Sequence, residues 1–416
     1  MISIVAAIAI VVWGLVLVAY VGTRRTTSSL LVVTLGGILF LPQFRIDLPG
    51  TILSKENLLC LGFGLGCLLI PDFYRSKYKF HWTDILIAGL MIGGAASSIS
   101  NSIGLHDALV VFVNTGIVWG IPWYGGKRLF STELKQLEIA RLVPMAGLVY
   151  VPFCLFEMKM APMLHRIVYG YAGRSGAGLS VDSMRFGLWR PSVFMKFGLE
   201  LALFMGICSI LAWWYWLHKR QASYFWIATV LTVTLLFSVS TSATALTMAA
   251  IGLVFLNRRR VKVLPHALLI ALTMVYPAYR MLNIGAVQVS VGEGGGILSE
   301  RIASVKTRVV SEDFYLKKWS ESPLLGSTAW NYWKVGKGNA VPDSFWIIIL
   351  GKFGLVGWCS AALVLAAPMS SVLWRTISLK FPTKISYVLA LCVLVYSLDC
   401  LLNDMGGMFY VLVAGS

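Results

Sequence analysis

Residues 2–21 read ISIVAAIAIVVWGLVLVAYV and contain no charged side chain. About 20 apolar residues are what an α-helix needs to cross the hydrocarbon core of a bilayer. Lipid offers the backbone no hydrogen-bond partners, so spanning segments are helices or closed barrels, and this run lacks the alternation of a barrel strand. It also lacks the basic start and the cleavage site of a secretory signal. The stretch therefore predicts a retained membrane-spanning helix.

Similar apolar runs recur along the 416 residues. Hydrophobic residues make up 58% of the chain and charged residues 13%, against about 25% charged in a soluble protein. This composition excludes a soluble domain and predicts an all-α, polytopic membrane protein with about twelve transmembrane helices. The runs occupy roughly 2–21, 29–43, 57–71, 83–102, 106–124, 138–156, 192–216, 223–240, 242–257, 263–283, 344–367 and 385–402, with a short run at 405–415.

Alternate connections between these runs carry nearly pure positive charge, which is typical of cytoplasmic loops. The remaining connections include the two longest, 157–190 and 284–343, so both are expected outside the cytoplasm, as is the N-terminus. The chain then divides into residues 1–283 with ten helices, a large periplasmic loop over 284–343, and C-terminal helices over 344–416. The basic connections hold Arg24, Arg25, Arg75, Lys77, Lys79, Lys127, Arg128, Lys135, Lys219, Arg220, Arg258 to Arg260, Lys262, Arg375, Lys380 and Lys384.

Two features qualify this topology. The pairs 29–43/57–71 and 223–240/242–257 could each be a re-entrant hairpin without changing the sides of the other loops. The net charge of +17 is spread over short clusters instead of one basic stripe, so it favours membrane topology over nucleic-acid binding. All seven cysteines fall inside apolar runs without metal-ligand spacing, which predicts buried, unpaired thiols.

The outer loop 157–190 brings arginines to the membrane boundary. Arg185 and Arg190 flank a glycine, and Glu157 and Arg166 are secondary candidates in the same loop. One interpretation is that these side chains extend along the interface to reach water. The other is that the guanidinium groups bind a pyrophosphate bidentately at the level of a lipid headgroup.

Residues 299–320 of the second outer loop combine an apolar stripe with alternating charges, which predicts an amphipathic helix. Arg301 and Arg308 lie two turns apart and can face one bound diphosphate. Other candidates nearby are Arg280, Glu312 and Asp313.

Asp343 stands where the long loop returns to an apolar run, so it can be a helix N-cap or a general base that activates an acceptor hydroxyl. None of the five histidines falls within 284–343. Asp399 and Asp404 are either functional intramembrane carboxylates or interface residues. The sequence contains no P-loop, HExxH or GxSxG motif, which argues against a nucleotide-driven pump.

Five motifs in order resemble the O-antigen ligase/O-antigen polymerase (Wzy) superfamily, in particular its exopolysaccharide-associated branch, from about residue 40 to 404. They are LFEMKMAPMLH at 155–165 with YGY at 169–171, RFGLWRPSVFM at 185–195, RVVSED at 308–313, PLLG at 323–326, and DSFWIIILGKFGLVG at 343–357. Two departures from the family matter. The branch commonly has a His before the Gly-Leu at 198–199, where this chain has Phe197, and ligases usually have a His near the end of the long loop, where it has Asp343.

The resemblance implies a GT-C-like membrane glycosyltransferase that takes a glycan from undecaprenyl pyrophosphate and transfers it to a glycan acceptor in the periplasm. Such enzymes invert the anomeric carbon and use no metal or other cofactor. On this sequence the arginines facing the pyrophosphate map to Arg185, Arg190, Arg301 and Arg308, and the catalytic base maps to Asp343.

The expected location is the bacterial inner membrane, with a polysaccharide chain-length regulator as a further expected partner. The branch favours a polymerase over a ligase. Two other functions stay open: a transporter or flippase of an anionic polysaccharide or lipid-linked glycan, and a non-catalytic partner in a polysaccharide assembly complex. A transporter should show inverted repeats with broken helices at matched positions.

Overall fold

A computed structural model describes residues 3–48, 51–173, 184–185, 187–258, 261–285, 297–328, 344–378 and 384–416. These residues form an all-α protein with two short antiparallel hairpins, β1 (Arg45–Leu48) with β2 (Thr51–Ser54) and β3 (Met184–Arg185) with β4 (Leu188–Trp189). The helices are α1 (Ile4–Val16), α2 (Gly22–Arg24), α3 (Thr27–Phe40), α4 (Lys55–Leu68), α5 (Pro71–Arg75), α6 (Trp82–Ser100), α7 (Leu105–Thr115), α8 (Ile121–Leu129), α9 (Glu133–Met160), α10 (Leu164–Tyr169), α11 (Gly198–Lys219), α12 (Ala222–Phe237), α13 (Thr241–Leu256), α14 (Val263–Leu282), α15 (Ile297–Trp319), α16 (Phe345–Ile377), α17 (Lys384–Asp399) and α18 (Met408–Gly415).

Six helices of the described chain are long and apolar enough to cross a membrane. A π-helical turn, Leu17–Val21, joins α1 to α2, and a second, Gly116–Gly120, joins α7 to α8 into one long helix. The prediction of an all-α chain with several membrane-spanning helices is confirmed at this level. The six are Ile4–Arg24, Trp82–Ser100, Leu105–Leu129, Glu133–Met160, Gly198–Lys219 and Phe345–Ile377.

Other apolar helices are shorter than a bilayer is thick. Helices α3 and α4 have 14 residues each, which corresponds to about 21 Å at 1.5 Å per residue, against a core of about 30 Å. Helices α12 and α13 have 16 residues each. These are the two pairs that hydropathy leaves open as re-entrant hairpins, so the count of about twelve crossings stays a prediction.

The centre of the fold is built around α17 and α11. In α17 every residue except Lys384 and Ser386 is buried. Small residues let neighbouring helices approach closely, as is usual in membranes. At Gly147 of α9, for example, an added Cβ would lie 2.7 Å from the Sγ of Cys208 in α11. The hydrophobic core therefore runs along the helices without a gap between α9, α11 and α17.

Helix α16 is broken near its start, at Gly354, whose φ is 62°. The chain that follows α15 fills the break and bonds to the freed backbone groups. The Leu355 N–H donates to the Pro323 carbonyl at 2.9 Å, and the Ser327 N–H donates to the Gly351 carbonyl at 2.8 Å. Broken helices persist in membranes only where other protein groups satisfy the backbone in this way. The PLLG motif at 323–326 and the GKFG sequence at 351–354 thus bond to each other.

Polar contacts group the described connections by the side predicted for them. Connections predicted to be cytoplasmic bond to one another, and so do those predicted to lie outside. This grouping agrees with alternating loops. Examples are Lys127–Asp84 at 2.5 Å and Lys135–Asp72 at 3.5 Å at one end, and Lys196–Asp404 at 3.0 Å and Arg280–Asp313 at 3.1 Å at the other.

All seven cysteines are free thiols, as predicted, but one is not buried. Cys359 lies on an exposed face of α16 because that face of the helix has no packing partner among the described elements. The prediction that every thiol is buried is therefore wrong at this position. The six buried cysteines are Cys60, Cys67, Cys154, Cys208, Cys392 and Cys400.

Candidate functional site

Helices α15 and α16 meet at residues 399–407, which comprise the last residue of α17 and the chain that leads to α18. We call these residues the junction segment. Its Asn403 contacts three partners. The Asn403 carbonyl accepts the N–H of Phe345, the first residue of α16, at 3.1 Å. The Asn403 side chain donates to Asp399 at 2.9 Å and accepts from Arg308 of α15 at 3.4 Å. One asparagine thus ties together α15, α16 and α17.

Arg308 is half-buried and leaves part of its guanidinium group available. One Nη donates to the Leu402 carbonyl at 3.2 Å and the other to the Asn403 side chain. A guanidinium group has five N–H donors, so three of its donors have no hydrogen-bond partner among the described residues. Because both acceptors are uncharged groups, the Arg308 guanidinium group can still bind an anion through its positive charge.

A cavity of about 90 Å³ lies beside the junction segment, which contributes Gly406 to its wall. A water needs roughly 10–15 Å³ of such space, so the cavity can hold several waters or the edge of a sugar ring. The wall is apolar and aromatic on one part and charged on another. We call this cavity the charged pocket; its polar wall is formed by Gln43, Lys55, Glu56, Lys196 and Glu200.

The two lysines of the charged pocket are held in place by different partners. The Lys55 amine donates to the Phe194 carbonyl at 2.8 Å, and the Lys196 amine pairs with Asp404 of the junction segment at 3.0 Å. Lys55 is the first residue of α4 and lies outside the six candidate spans. Burial lowers the pKa of Lys55 to about 7, although the Glu200 carboxylate opposes the shift. Lys196 is thus paired with a carboxylate, whereas Lys55 is bonded to a neutral carbonyl.

The two glutamates of the pocket face the same point. Glu56 accepts the Gly407 N–H at 3.0 Å, and Glu200 accepts the Lys196 N–H at 2.9 Å. A Cβ added to Gly406 would lie 2.8 Å from Oε1 of Glu200 and 3.8 Å from Oε1 of Glu56. Burial raises the pKa of Glu56, which also precedes the apolar part of α4. A glycine at position 406 thus keeps open a space between two carboxylates.

Glu157 is a structural residue in this fold. It is fully buried, and its two oxygens accept the N–H groups of Leu164 at 2.9 Å, Ser192 at 2.8 Å and Val193 at 2.7 Å. These bonds fix the chain that leads to Lys196. A carboxylate so fully bonded positions the segment and is not free to act on a ligand.

Two of the predicted arginines of the first outer loop have described side chains. Arg190 donates to the Val239 carbonyl at 3.2 Å, and its side chain packs against Gly198 at the start of α11. Arg166 is exposed on α10. Arg185 lies in β3, and its side chain is outside the described residues. Arg190 therefore lies at the start of α11, and Arg308 lies at the junction segment.

Arg280, Glu312 and Asp313 form a buried network that docks α15 onto α14. Arg280 is 1% exposed and bonds to Glu312 and to Asp313, each at 3.1 Å. The Tyr276 hydroxyl also donates to Glu312, at 2.8 Å. Burial raises the pKa of the Glu312 carboxyl, and the Tyr276 hydrogen bond and the Arg280 charge oppose this shift. Because this network fixes α15, it positions Arg308 at the junction segment.

Like Arg185, two further predicted residues lie outside the part of the structure that describes side chains. Arg301 is a residue of α15 without a described side chain, and Asp343 precedes the described segment that begins at Ser344. The N-cap residue of α16 is Ser344, one position after the one predicted. Asp399 is 1% exposed and bonds to Asn403, so it is a buried residue of the junction.

The charged pocket was not predicted from the sequence. Lys55, Glu56, Lys196 and Glu200 come from connections far apart in the chain, and each alone resembles an ordinary charge at a helix end. The available signal was local, because Lys55 and Glu56 stand together in the first turn of an otherwise apolar helix. None of these four residues was a predicted site residue, although Asp404, which pairs with Lys196, had been singled out.

Known proteins add nothing to this geometry. No protein-family model, no curated protein and no solved structure matches the chain.

Proposed function

We propose that the chain is a membrane glycosyltransferase of the GT-C type, which moves a glycan from undecaprenyl pyrophosphate to a hydroxyl of a glycan acceptor. In this proposal it lies in the bacterial inner membrane with about twelve crossings, a periplasmic N-terminus and its site on the periplasmic side. The reaction is inverting and needs no metal, and the acceptor is a second lipid-linked glycan, so the enzyme is a polymerase and not a ligase. A chain-length regulator is a proposed partner.

One observation carries the proposal: Arg308 and the charged pocket meet at the junction segment. Arg308 bonds to Leu402 and Asn403, and the next residue, Asp404, pairs with Lys196 of the pocket wall. This transfer requires a cationic group at the leaving diphosphate and a cavity with carboxylates. The Arg308 guanidinium group stabilises the charge that develops on the departing diphosphate, and the carboxylates can bind and deprotonate a hydroxyl.

A transporter is the second candidate because α16 is broken at Gly354. Discontinuous helices line the substrate sites of many transporters, where they occur in pairs at matched positions of two repeats. Among the described helices a break with non-helical backbone angles is found in α16 alone. The structure therefore offers half of the transporter arrangement, whereas Arg308 and a cavity with carboxylates, which support the transferase, both lie at the junction segment.

The test uses the purified protein in liposomes with undecaprenyl-pyrophosphate-linked oligosaccharide. The product is measured by chain length on gels and by mass spectrometry. Arg308→Ala should lower the transfer rate at least ~10-fold, since hydrogen bonds to charged groups contribute about 1.5–3 kcal/mol. Arg308→Lys should also be impaired, because an ammonium group cannot reproduce a bidentate fork.

Arg375→Ala is the matched control, because this arginine is exposed at the far end of α16. It should transfer glycan at the wild-type rate. If the wild-type protein forms no new glycosidic bond but moves the lipid-linked glycan between leaflets, the transporter replaces the transferase. If Arg308→Ala equals the wild type in an active preparation, the diphosphate does not bind at Arg308.

A further inference from the structure

The charged pocket has a form that suits one part of a sugar. Its aromatic wall includes Phe204, Phe409 and Tyr410, and Tyr410 is itself fixed by stacking on Tyr396 at 4.0 Å between ring centroids. Pockets that bind small polar molecules combine such apolar walls with a few placed polar groups. Here the wall combines aromatic rings with two carboxylates and two amines. A sugar ring likewise combines an apolar face with hydroxyls at its edge.

We propose that the charged pocket binds the acceptor end of the glycan, with Glu56 as the base that takes the proton of the attacking hydroxyl and Glu200 as the group that orients it. This inference rests on the proposed function. It assigns to residues of α4 and α11 a role that the sequence had placed on Asp343.

The geometry favours Glu56 over Glu200 as the base. Both carboxylates line the charged pocket, so a hydroxyl bound there can reach either of them. Glu200 is held by the Lys196 N–H and is half-buried next to the Lys196 charge. For Glu56, burial raises the pKa, and a base whose pKa lies nearer the working pH transfers protons more effectively. The charged groups that act on Glu56 are Lys196, Glu200 and Asp404, of which Lys196 opposes the shift. Cys60 and Tyr396 are further titratable groups that interact with Glu56.

The transfer step then balances without a further reactant. The acceptor hydroxyl gives its proton to the Glu56 carboxylate, and its oxygen bonds to the anomeric carbon of the donor. The bond between that carbon and the diphosphate oxygen breaks, and the electron pair leaves with the diphosphate, which faces Arg308. Glu56 returns its proton to water before the next cycle.

Glu56→Gln is the first test, because glutamine keeps the size and the hydrogen bond to Gly407 but cannot take a proton. In the liposome assay the transfer rate should fall at least ~100-fold, the usual scale for loss of a general base. Binding of the lipid-linked donor and the unfolding temperature should stay at wild-type values. The wild-type rate should decline as the pH falls through the pKa of Glu56, and the residual rate of Glu56→Gln should lack this decline. Glu133→Gln, an exposed carboxylate of α9, is the control and should be unaffected.

Gly406→Ala is the second test, and it does not depend on Glu56→Gln folding. The added Cβ would enter the space between the carboxylates, where the nearest atom is the movable end of Glu200. The protein should fold, and KM for the acceptor should rise by about 10-fold or more with a smaller change in kcat.

The outcomes separate the two proposals. If wild-type protein shows no transfer, the proposed function fails and this inference fails with it. If wild-type protein is active and Glu56→Gln and Gly406→Ala both match it, the pocket does not hold the acceptor although the function stands. Loss of activity in Asp343→Asn together with full activity in Glu56→Gln would return the base to Asp343.

Discussion

Lys55 is a cationic residue in a place nearly closed to water. It is 6% exposed, and its nearest titratable neighbours are Glu200 and His165. Burial lowers the pKa of Lys55 to about 7, and the Lys55 charge in turn adds to the lowering of the His165 pKa, which burial causes for the most part. The amine still donates to Phe194 when it is neutral. Lys55 is therefore a group whose charge changes near physiological pH.

This shift predicts a pH dependence of stability. In the unfolded chain a lysine keeps its proton up to a pKa of about 10.4, whereas in the fold Lys55 loses it near pH 7. Between these values the unfolded state binds more protons, so the free energy of unfolding rises with pH, by at most about 1.4 kcal/mol per unit. Lys55→Met should remove this part of the slope. The measurement is the unfolding temperature in detergent from pH 7 to pH 10.

Lys317→Met serves as the comparison, since Lys317 is exposed on α15. Taking differences from the wild type removes the contribution of the buried tyrosines, whose titration acts in the opposite direction. The Phe194 carbonyl keeps a donor in Lys55→Met, because Gln43 also bonds to it at 3.1 Å. Parallel pH profiles for the wild type and Lys55→Met would mean that Lys55 stays protonated in the fold.

At the scale of elements, the break in α16 depends on two glycines. Gly354 has a φ of 62°, and Gly326, in the chain that fills the break, has a φ of 69°. A side chain at Gly354 would overlap the Leu324 carbonyl, and one at Gly326 would lie 2.6 Å from the Gly351 carbonyl. The backbones approach so closely that only hydrogen atoms fit between them.

Gly354→Ala should therefore lower the free energy of unfolding by about 2 kcal/mol or more, because the conformation at Gly354 is one that only glycine adopts readily. Thermal unfolding in detergent gives the change. The added side chain should displace the segment around Leu324 from the break in α16. Limited proteolysis should therefore cut this segment faster than in the wild type. Gly252→Ala in α13 is the control, since no atom lies within 4 Å of its added Cβ and alanine is the better helix former. Equal unfolding temperatures for the two variants would show that α16 tolerates a continuous helix.

The sequence predicts those elements whose formation depends on residues close together in the chain. Hydropathy located α14 at 263–283, and amphipathic periodicity located α15 at 299–320, within a few residues of Val263–Leu282 and Ile297–Trp319. Both patterns are local. The run at 344–367 stopped short of Ile377, where α16 ends, because a helix can continue through polar residues beyond the apolar core.

The site was harder to predict because its partners are distant in sequence. Arg308 was singled out, and the structure places it at the junction segment. Arg280 and Glu312 were also noted, but their charges neutralise each other in a buried pair. Whether an acid and a base in separate loops will pair or will face a cavity depends on tertiary packing, which no pattern along the chain encodes.

At the scale of the whole molecule, the polar contacts form two groups at opposite ends of the helices, and the basic connections lie at one of these ends. The end that includes Lys127 and Lys135 carries the basic connections, so by the positive-inside rule we propose that it faces the cytoplasm. In this proposal the end that includes Arg308 and the charged pocket faces the periplasm. An acceptor site and a donor site on the periplasmic side are a requirement of the proposed function.

Single-cysteine labelling with a membrane-impermeant reagent tests this orientation. Cys359 is the exposed native cysteine, so Cys359→Ala gives the background, and the six buried thiols should not react. In that background, Gly295→Cys probes the 284–343 connection and Val261→Cys probes the basic connection after α13. We expect labelling of intact cells at position 295, and at position 261 only after the membrane is opened. Labelling of intact cells at position 261 alone would place Arg308 and the pocket in the cytoplasm, where no periplasmic transfer could occur.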